Sequence, residues 1–392
     1  MLLSIALIFL CALMLSGILV RFKIPGLIGM LIVGIVLGPF VLDLLDDSIL
    51  TVSGDLRTLA LIIILLKAGL SMDLSDLKKV GRPAILMSFV PASFEIIAFL
   101  IFAPALFQIT YLEAGIIGAV MSAVSPAVVV PKMSRLIDEG YGTDKAIPQM
   151  IIAGASVDDV FVIVIFTSLV TMASGGSFSL IEFTKIPLSV ILGLAVGIIM
   201  GILLVWFFKK YHMRDTVKVL ILISISILFM PLEKLLSDIT GFSGLLAIMS
   251  MGIVILNRYA ILAKRISGKF SKLWVAAEIA LFVLVGSAVN ISYVLKAGFI
   301  TVLMIFIGLA FRLLGTYISL IKTQFNQKER LFIMLSQIPK ATVQAAIGAI
   351  PLSLGLACGD LVLTFAVVSI LITAPLGAFL IDITYKKLLK GR

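Results

Sequence analysis

Apolar residues in this chain fall into long blocks separated by short polar stretches that hold most of its charge. A helix needs about 20 predominantly apolar residues to cross a hydrocarbon core of about 30 Å. Blocks of that kind cover 2–20, 25–43, 57–77, 83–106, 112–134, 146–173, 185–208, 215–233, 239–256, 271–291, 297–320, 330–354 and 359–384. The apolar runs lack the two-residue alternation of a membrane barrel, so strands are not expected. The pattern predicts an all-α polytopic membrane protein with about 13 transmembrane helices. The first block, "LLSIALIFLCALMLSGILV", has no basic leader and no small-residue cleavage site, and is read as a retained helix.

Composition agrees with the pattern. Of 392 residues, 61% are hydrophobic and 13% charged, against roughly half and about a quarter in soluble domains. A net charge of +10 raises the question of nucleic acid, and its distribution answers it. Twenty-four Lys and Arg fall in alternate loops and the C-terminal tail, and four (Arg57, Lys185, Lys234, Lys296) fall on the other side. By the positive-inside rule the N-terminus lies outside and the C-terminus in the cytoplasm, as expected in a cell membrane. No nucleic-acid partner is needed to explain the charge. Cys11 and Cys358 form no disulfide framework or metal motif.

Charge inside the spans points to function, because an ionisable group at a helix centre costs about 2.5–3.5 kcal/mol or more unless compensated. Glu95, Asp158, Asp159, Lys67, Arg312 and Lys340 are placed there. Lys67 reads as a snorkelling residue, and His212, in "KKYHMRD", as a solvated loop histidine. Two spans also carry internal prolines among small and polar residues: "AVMSAVSPAVVVPKM", with Pro126 and Pro131, and "LSQIPKATVQAAIGAIPL", with Pro339 and Pro351. Proline removes a backbone hydrogen bond, and in hydrocarbon the freed carbonyls need neighbours or a hydrated cavity. These are spans 5 and 12, seven apart, which predicts two inverted six-helix repeats with crossed broken helices. Spans 4 and 11 match as well, with Glu95 in one and Arg312 in the other. Paired interrupted helices mark a transporter's midplane site.

Asp158 and Asp159 follow the first break on span 6. Consecutive helical residues point in different directions, so the two carboxylates cannot share a face. One is expected to line the cavity as a cation ligand and the other to meet a basic neighbour. Ser156, three residues before Asp159, offers a neutral oxygen, as do Ser125, Thr342 and Gln344. A desolvated carboxylate holds its proton more tightly and a nearby cation loosens it, so proton and small cation compete for the same oxygens. Arg312 does not usefully deprotonate and suits an ion pair with Glu95 or an aspartate. Lys340 is expected to offset the negative C-terminal ends of half-helices at the crossing.

Beyond these readings, "AVSPAVVVPKMSRLIDEGYGTDKAIP", "ASVDDV", "IPKATVQAAIGAIPL" and "LLKAGLSMDLSDLKKVGRPA" resemble the monovalent cation/proton antiporter superfamily, and within it the NHA branch of sodium/proton antiporters. The resemblance spans essentially the whole chain. It implies exchange of Na⁺ or Li⁺ for H⁺ with no further cofactor, and Asp159 as principal ion ligand with Asp158 beside it. It also implies one transporter domain over 1–392, with an ion-translocating core of helices in 83–173 and 297–384. The helices in 1–77 and 185–291 would form the scaffold of a homodimer. Arg312 stands where many electrogenic members carry lysine. Potassium/proton exchange on the same fold is the alternative. An intramembrane aspartyl protease would need carboxylates converging from different helices, and a channel would not need paired breaks.

Overall fold

A computed structural model describes residues 1–22, 24–71, 81–175, 180–236 and 242–391. The described residues contain helices and connecting loops and no strands. Among the described residues, eight helical stretches are long and apolar enough to cross a bilayer, and four shorter apolar helices accompany them. Part of span 3 lies outside the described residues. Others of the thirteen expected segments are divided into shorter helices.

The helices are α1 (Leu2–Arg21), α2 (Gly26–Leu37), α3 (Asp47–Thr51), α4 (Ser53–Gly69), α5 (Arg82–Met87), α6 (Val90–Phe107) and α7 (Tyr111–Met121). There follow α8 (Pro126–Glu139), α9 (Ile147–Gly175), α10 (Leu180–Lys210), α11 (Asp215–Leu236), α12 (Gly244–Arg258) and α13 (Ala260–Ser287). The last are α14 (Ile291–Ser319), α15 (Gln327–Leu335), α16 (Thr342–Ile347), α17 (Ile350–Ser353) and α18 (Gly359–Leu388). They fall into two compact units. One comprises Met1–Gly54, Ser75–Phe166 and Leu281–Arg392; the other comprises Asp55–Leu74 and Thr167–Ala280.

In the first unit, α6 and α14 pack along each other. Glycines permit the approach: a Cβ on Gly315 would come within 3.0 Å of Phe94 and Pro91, and one on Gly308 within 2.8 Å of the Phe99 ring. This packing brings Glu95 of α6 to Arg312 of α14. Apolar side chains including Met87, Val129, Met133, Ile151, Phe332 and Ile381 join α5, α8, α9, α15 and α18 in one buried cluster. Ion pairs tie the same helices near the C-terminal end of α18. Lys132 and Arg135 both reach Asp382, at 2.6 and 2.8 Å, and Lys145 reaches the buried Glu329 at 2.8 Å.

Proline acts unequally. Span 5 opens between Met121 and Pro126, and span 12 between Leu335 and Thr342 around Pro339. Pro126 is the first residue of α8, where its missing N–H costs nothing, and the residue before it, Ser125, is extended. Pro131 sits inside α8 without ending it, as do Pro104, Pro231 and Pro375 in their helices.

In the second unit, α10 and α11 both pack on α12. Helix α13 begins eleven residues before the predicted span 10, so Lys264, Arg265, Lys269 and Lys272, counted as loop residues, are helical. The apolar block missed this extension because its start is amphipathic: Leu262, Ile266, Phe270 and Trp274 recur every four residues and are buried.

Candidate functional site

The two breaks meet in the first unit. The Ser125 N–H donates to the Pro339 carbonyl at 2.8 Å, which joins the unwound segments directly. Their hydroxyls, Ser125 Oγ and Thr342 Oγ1, lie 3.5 Å apart. Each segment is also held by the long helix that follows it. The Val124 N–H donates to Asp158 Oδ2 of α9 at 3.0 Å, and the Lys340 N–H donates to Thr373 Oγ1 of α18 at 3.0 Å.

The carbonyls released at the end of α7 are capped by side chains. Lys340 Nζ donates to the Met121 carbonyl and Arg312 Nη1 to that of Ser122. Gln344 Nε2 donates to the carbonyls of Val120 and Ala123, at 2.9 and 3.0 Å. At the other break, Arg312 Nε donates to the Gln337 carbonyl at 3.1 Å. The partial negative charge of a helix C-terminus favours cationic donors of this kind. Lys340 therefore stands where the sequence places it, and it has a second partner.

That partner is Glu95. Lys340 Nζ is 2.8 Å from Glu95 Oε1, and Arg312 Nη1 is 3.4 Å from Glu95 Oε2. Arg312 Nη2 is 2.7 Å from Asp158 Oδ2 and also donates to Gln337 Oε1 at 3.2 Å. The sequence left open whether Arg312 meets Glu95 or an aspartate, and it meets both. Glu95, Asp158, Arg312 and Lys340 are each 0% exposed. Two carboxylates and two cations make a closed set whose formal charges cancel.

Asp159 falls outside that set. It is half-buried on α9, and its Oδ1 is buried without a hydrogen-bond partner among the described residues. Nor does any ion pair among those residues include it. The adjacent aspartates are thus inequivalent: Asp158 is committed to Arg312 and to a backbone N–H, and Asp159 has no ion pair, and its Oδ1 no hydrogen bond, among the described residues. A carboxylate with one oxygen buried and unpartnered in this position is stable when neutralised, and either a proton or a small cation does so. Ser156 lies on α9 near both, and its side chain is outside the described residues.

Gln337 and Thr373 belong to the arrangement and were not singled out from sequence. Gln337 sits two residues before Pro339, inside the broken motif, and this adjacency was the available signal. Thr373, in "LITAPLG", carries no comparable mark. His212 is exposed between α10 and α11, and Lys67 is half-buried on α4.

Comparison with known proteins places the chain. Residues 5–387 match the family described as sodium/hydrogen exchanger, transmembrane. The chain is 31% identical to human Sodium/hydrogen exchanger 9B2 over 383 residues, covering 94% of this chain and 70% of that protein. It is 30% identical to human Sodium/hydrogen exchanger 9B1 over 382 residues, covering 93% and 73%. In fold it is similar to the sodium proton antiporter MjNhaP1 of Methanocaldococcus jannaschii, with a TM-score of 0.84, 22% identity and 99% of each chain covered.

Proposed function

Because the chain belongs to the transmembrane sodium/hydrogen exchanger family, we propose that it is a secondary antiporter exchanging Na⁺ for H⁺ through Asp159. One observation carries the assignment. The buried charges of Glu95, Asp158, Arg312 and Lys340 pair off, which leaves the Asp159 carboxylate to be neutralised by what it transports.

Proton and Na⁺ bind the same carboxylate and exclude each other. The empty, charged site is the costly form in a low-dielectric surround, so the core changes access when the site is loaded with one or the other. Exchange is then obligatory. Asp158 lies beside the ion while anchoring Arg312, and Ser156, Ser125 and Thr342 supply neutral oxygens. Li⁺, of the same charge and smaller size, is a second substrate. The names of the relatives support Na⁺ over K⁺.

The chain resides in the cell membrane with its N-terminus outside and its C-terminus in the cytoplasm, as the distribution of Lys and Arg supports. Helices in 83–173 and 297–384 form the exchanging core, and those in 1–77 and 185–291 the scaffold through which two copies associate.

The test is exchange in proteoliposomes enclosing a pH dye. Na⁺ added outside should drive proton efflux, choline should not, and Asp159→Asn should abolish the response. K⁺ exceeding Na⁺ would make the protein a potassium exchanger. Undiminished exchange in Asp159→Asn would remove the carboxylate from its role.

A further inference from the structure

The sequence offers Gln344 as a neutral oxygen, and the structure shows its nitrogen capping the end of α7 while its oxygen has no hydrogen-bond partner among the described residues. Gln344, on α16, is 0% exposed. Its Nε2 is fixed, because it donates to the carbonyls of both Val120 and Ala123, and reversing the amide would set oxygen against two oxygens. The orientation of Oε1 follows, and it is buried with no hydrogen-bond partner among the described residues. An amide oxygen left so gives up its hydration without a hydrogen bond in return. The two donated bonds account for its nitrogen only.

The surroundings make the oxygen intelligible. Ala123 is next to Val124, whose N–H holds Asp158, and Asp159 follows Asp158 on α9. Asp158 Oδ1 and Asp159 Oδ1 are likewise buried without hydrogen-bond partners among the described residues. Of these three acceptors, those of Asp158 and Gln344 belong to side chains bonded to the backbone at the end of α7, and that of Asp159 is on the next residue of α9. Gln337 Nε2, at the other break, is a buried donor likewise without a partner among the described residues. Ordinary packing supplies donors to buried acceptors, whereas a dehydrated alkali cation needs acceptors alone.

We propose that Gln344 Oε1 is a neutral ligand of the transported cation and helps set the preference among alkali ions. The proposal rests on the assignment of exchange to Asp159. A proton needs one carboxylate oxygen, whereas a stripped cation needs several oxygens at distances matched to its radius, and ligand number and cavity size decide which ion fits. Gln344 therefore acts on the cation half of the cycle, and its nitrogen fixes the oxygen by gripping the end of α7.

Gln344→Asn withdraws the oxygen by one methylene, and Gln344→Met replaces it with a soft thioether at nearly the same length. Cation-driven proton movement in proteoliposomes, measured with Na⁺ and Li⁺ separately, should show a rise in apparent KM of at least about tenfold for Na⁺. The ratio of the two KM values should shift at least about threefold. A fall in kcat with both KM values unchanged would make Gln344 a clamp only and overturn the proposal. Should neither variant insert, wild-type protein carrying ¹³C at the side-chain carbonyl of Gln344 alone among its six glutamines gives the reading by infrared difference spectroscopy. A Na⁺-induced shift, absent with choline, is expected, and its absence overturns the ligand. Failure of the underlying assignment looks different: the wild-type protein would then move no protons in response to any cation.

Discussion

Arg312 shows why residue identity matters more than charge at this site. Guanidinium has five N–H donors, and the structure supplies five acceptors: Glu95 Oε2, Asp158 Oδ2, Gln337 Oε1 and the carbonyls of Ser122 and Gln337. Lysine has three donors on a compact head and cannot reach this set. Arg312→Lys should therefore lower the melting temperature despite conserving charge, and Arg312→Ala should cost about 3–5 kcal/mol because it strands buried carboxylates. Lys340→Ala should be milder, since Glu95 keeps Arg312 at 3.4 Å. The aspartates give a sharper contrast. Asp159→Asn breaks no ion pair among the described residues and should leave the melting temperature in choline unchanged while abolishing its rise with Na⁺. Asp158→Asn unbalances Arg312 and should destabilise by about 3–5 kcal/mol. Equal melting temperatures for the two variants would contradict the charge pairing. This inequivalence was legible in the sequence, because adjacent positions on a helix diverge. Gln337 was marked only by its place beside Pro339, since its partner is a guanidinium brought from another helix, and Thr373 was not legible, because its partner is a backbone N–H freed by a break.

At the scale of elements, the sequence located the interrupted spans and singled out Ser125 and Pro126 at the first crossing, but not the partners that hold the break open. Pro126 and Pro131 look alike in "SPAVVVPKM", yet only the first coincides with a segment tied to the other break by Ser125 and Pro339. A proline in hydrocarbon breaks a helix where tertiary partners can take the released carbonyls, and those partners belong to distant parts of the chain. Helix packing in the second unit was similarly hidden. Gly193, Gly197 and Gly201 form a four-residue repeat on α10, and each faces α12. A Cβ on Gly197 would lie 2.3 Å from the Ala247 carbonyl and 1.9 Å from Ser250 Oγ. Close backbone approach through small residues is a main source of helix association in lipid. Gly197→Ala must push α10 off α12 and should lower the melting temperature by several degrees. Gly268→Ala, with nothing within 4 Å of its Cβ, should leave it unchanged or slightly raised. Equal effects would mean that α10 and α12 do not pack through this face.

At the scale of the whole molecule, hydropathy revealed the membrane class while fixing neither helix count nor helix ends, since a cut span and an amphipathic extension such as α13 both depart from a uniform apolar block. What the sequence conveyed well was its charge arithmetic, and this leads to the pH dependence. If proton and Na⁺ compete for Asp159, each fall in pH raises the protonated fraction and removes sites from Na⁺. Below the site's own pKa the apparent KM for Na⁺ should rise by up to about tenfold per pH unit, and above it should level off. Saturating Na⁺ displaces the proton at any pH, so the rate at saturation should change little across the same range. The sign extends to stability: Na⁺ binds the native state and raises its melting temperature by mass action, and this rise should be largest at high pH and fade as pH falls. Exchange measured at several pH values, with Na⁺ carried to saturation at each, separates competition from regulation. A saturating rate that falls with pH at constant KM would place the controlling proton on a group other than the cation's carboxylate. Convergence of the rates at high Na⁺ would place both ions on one.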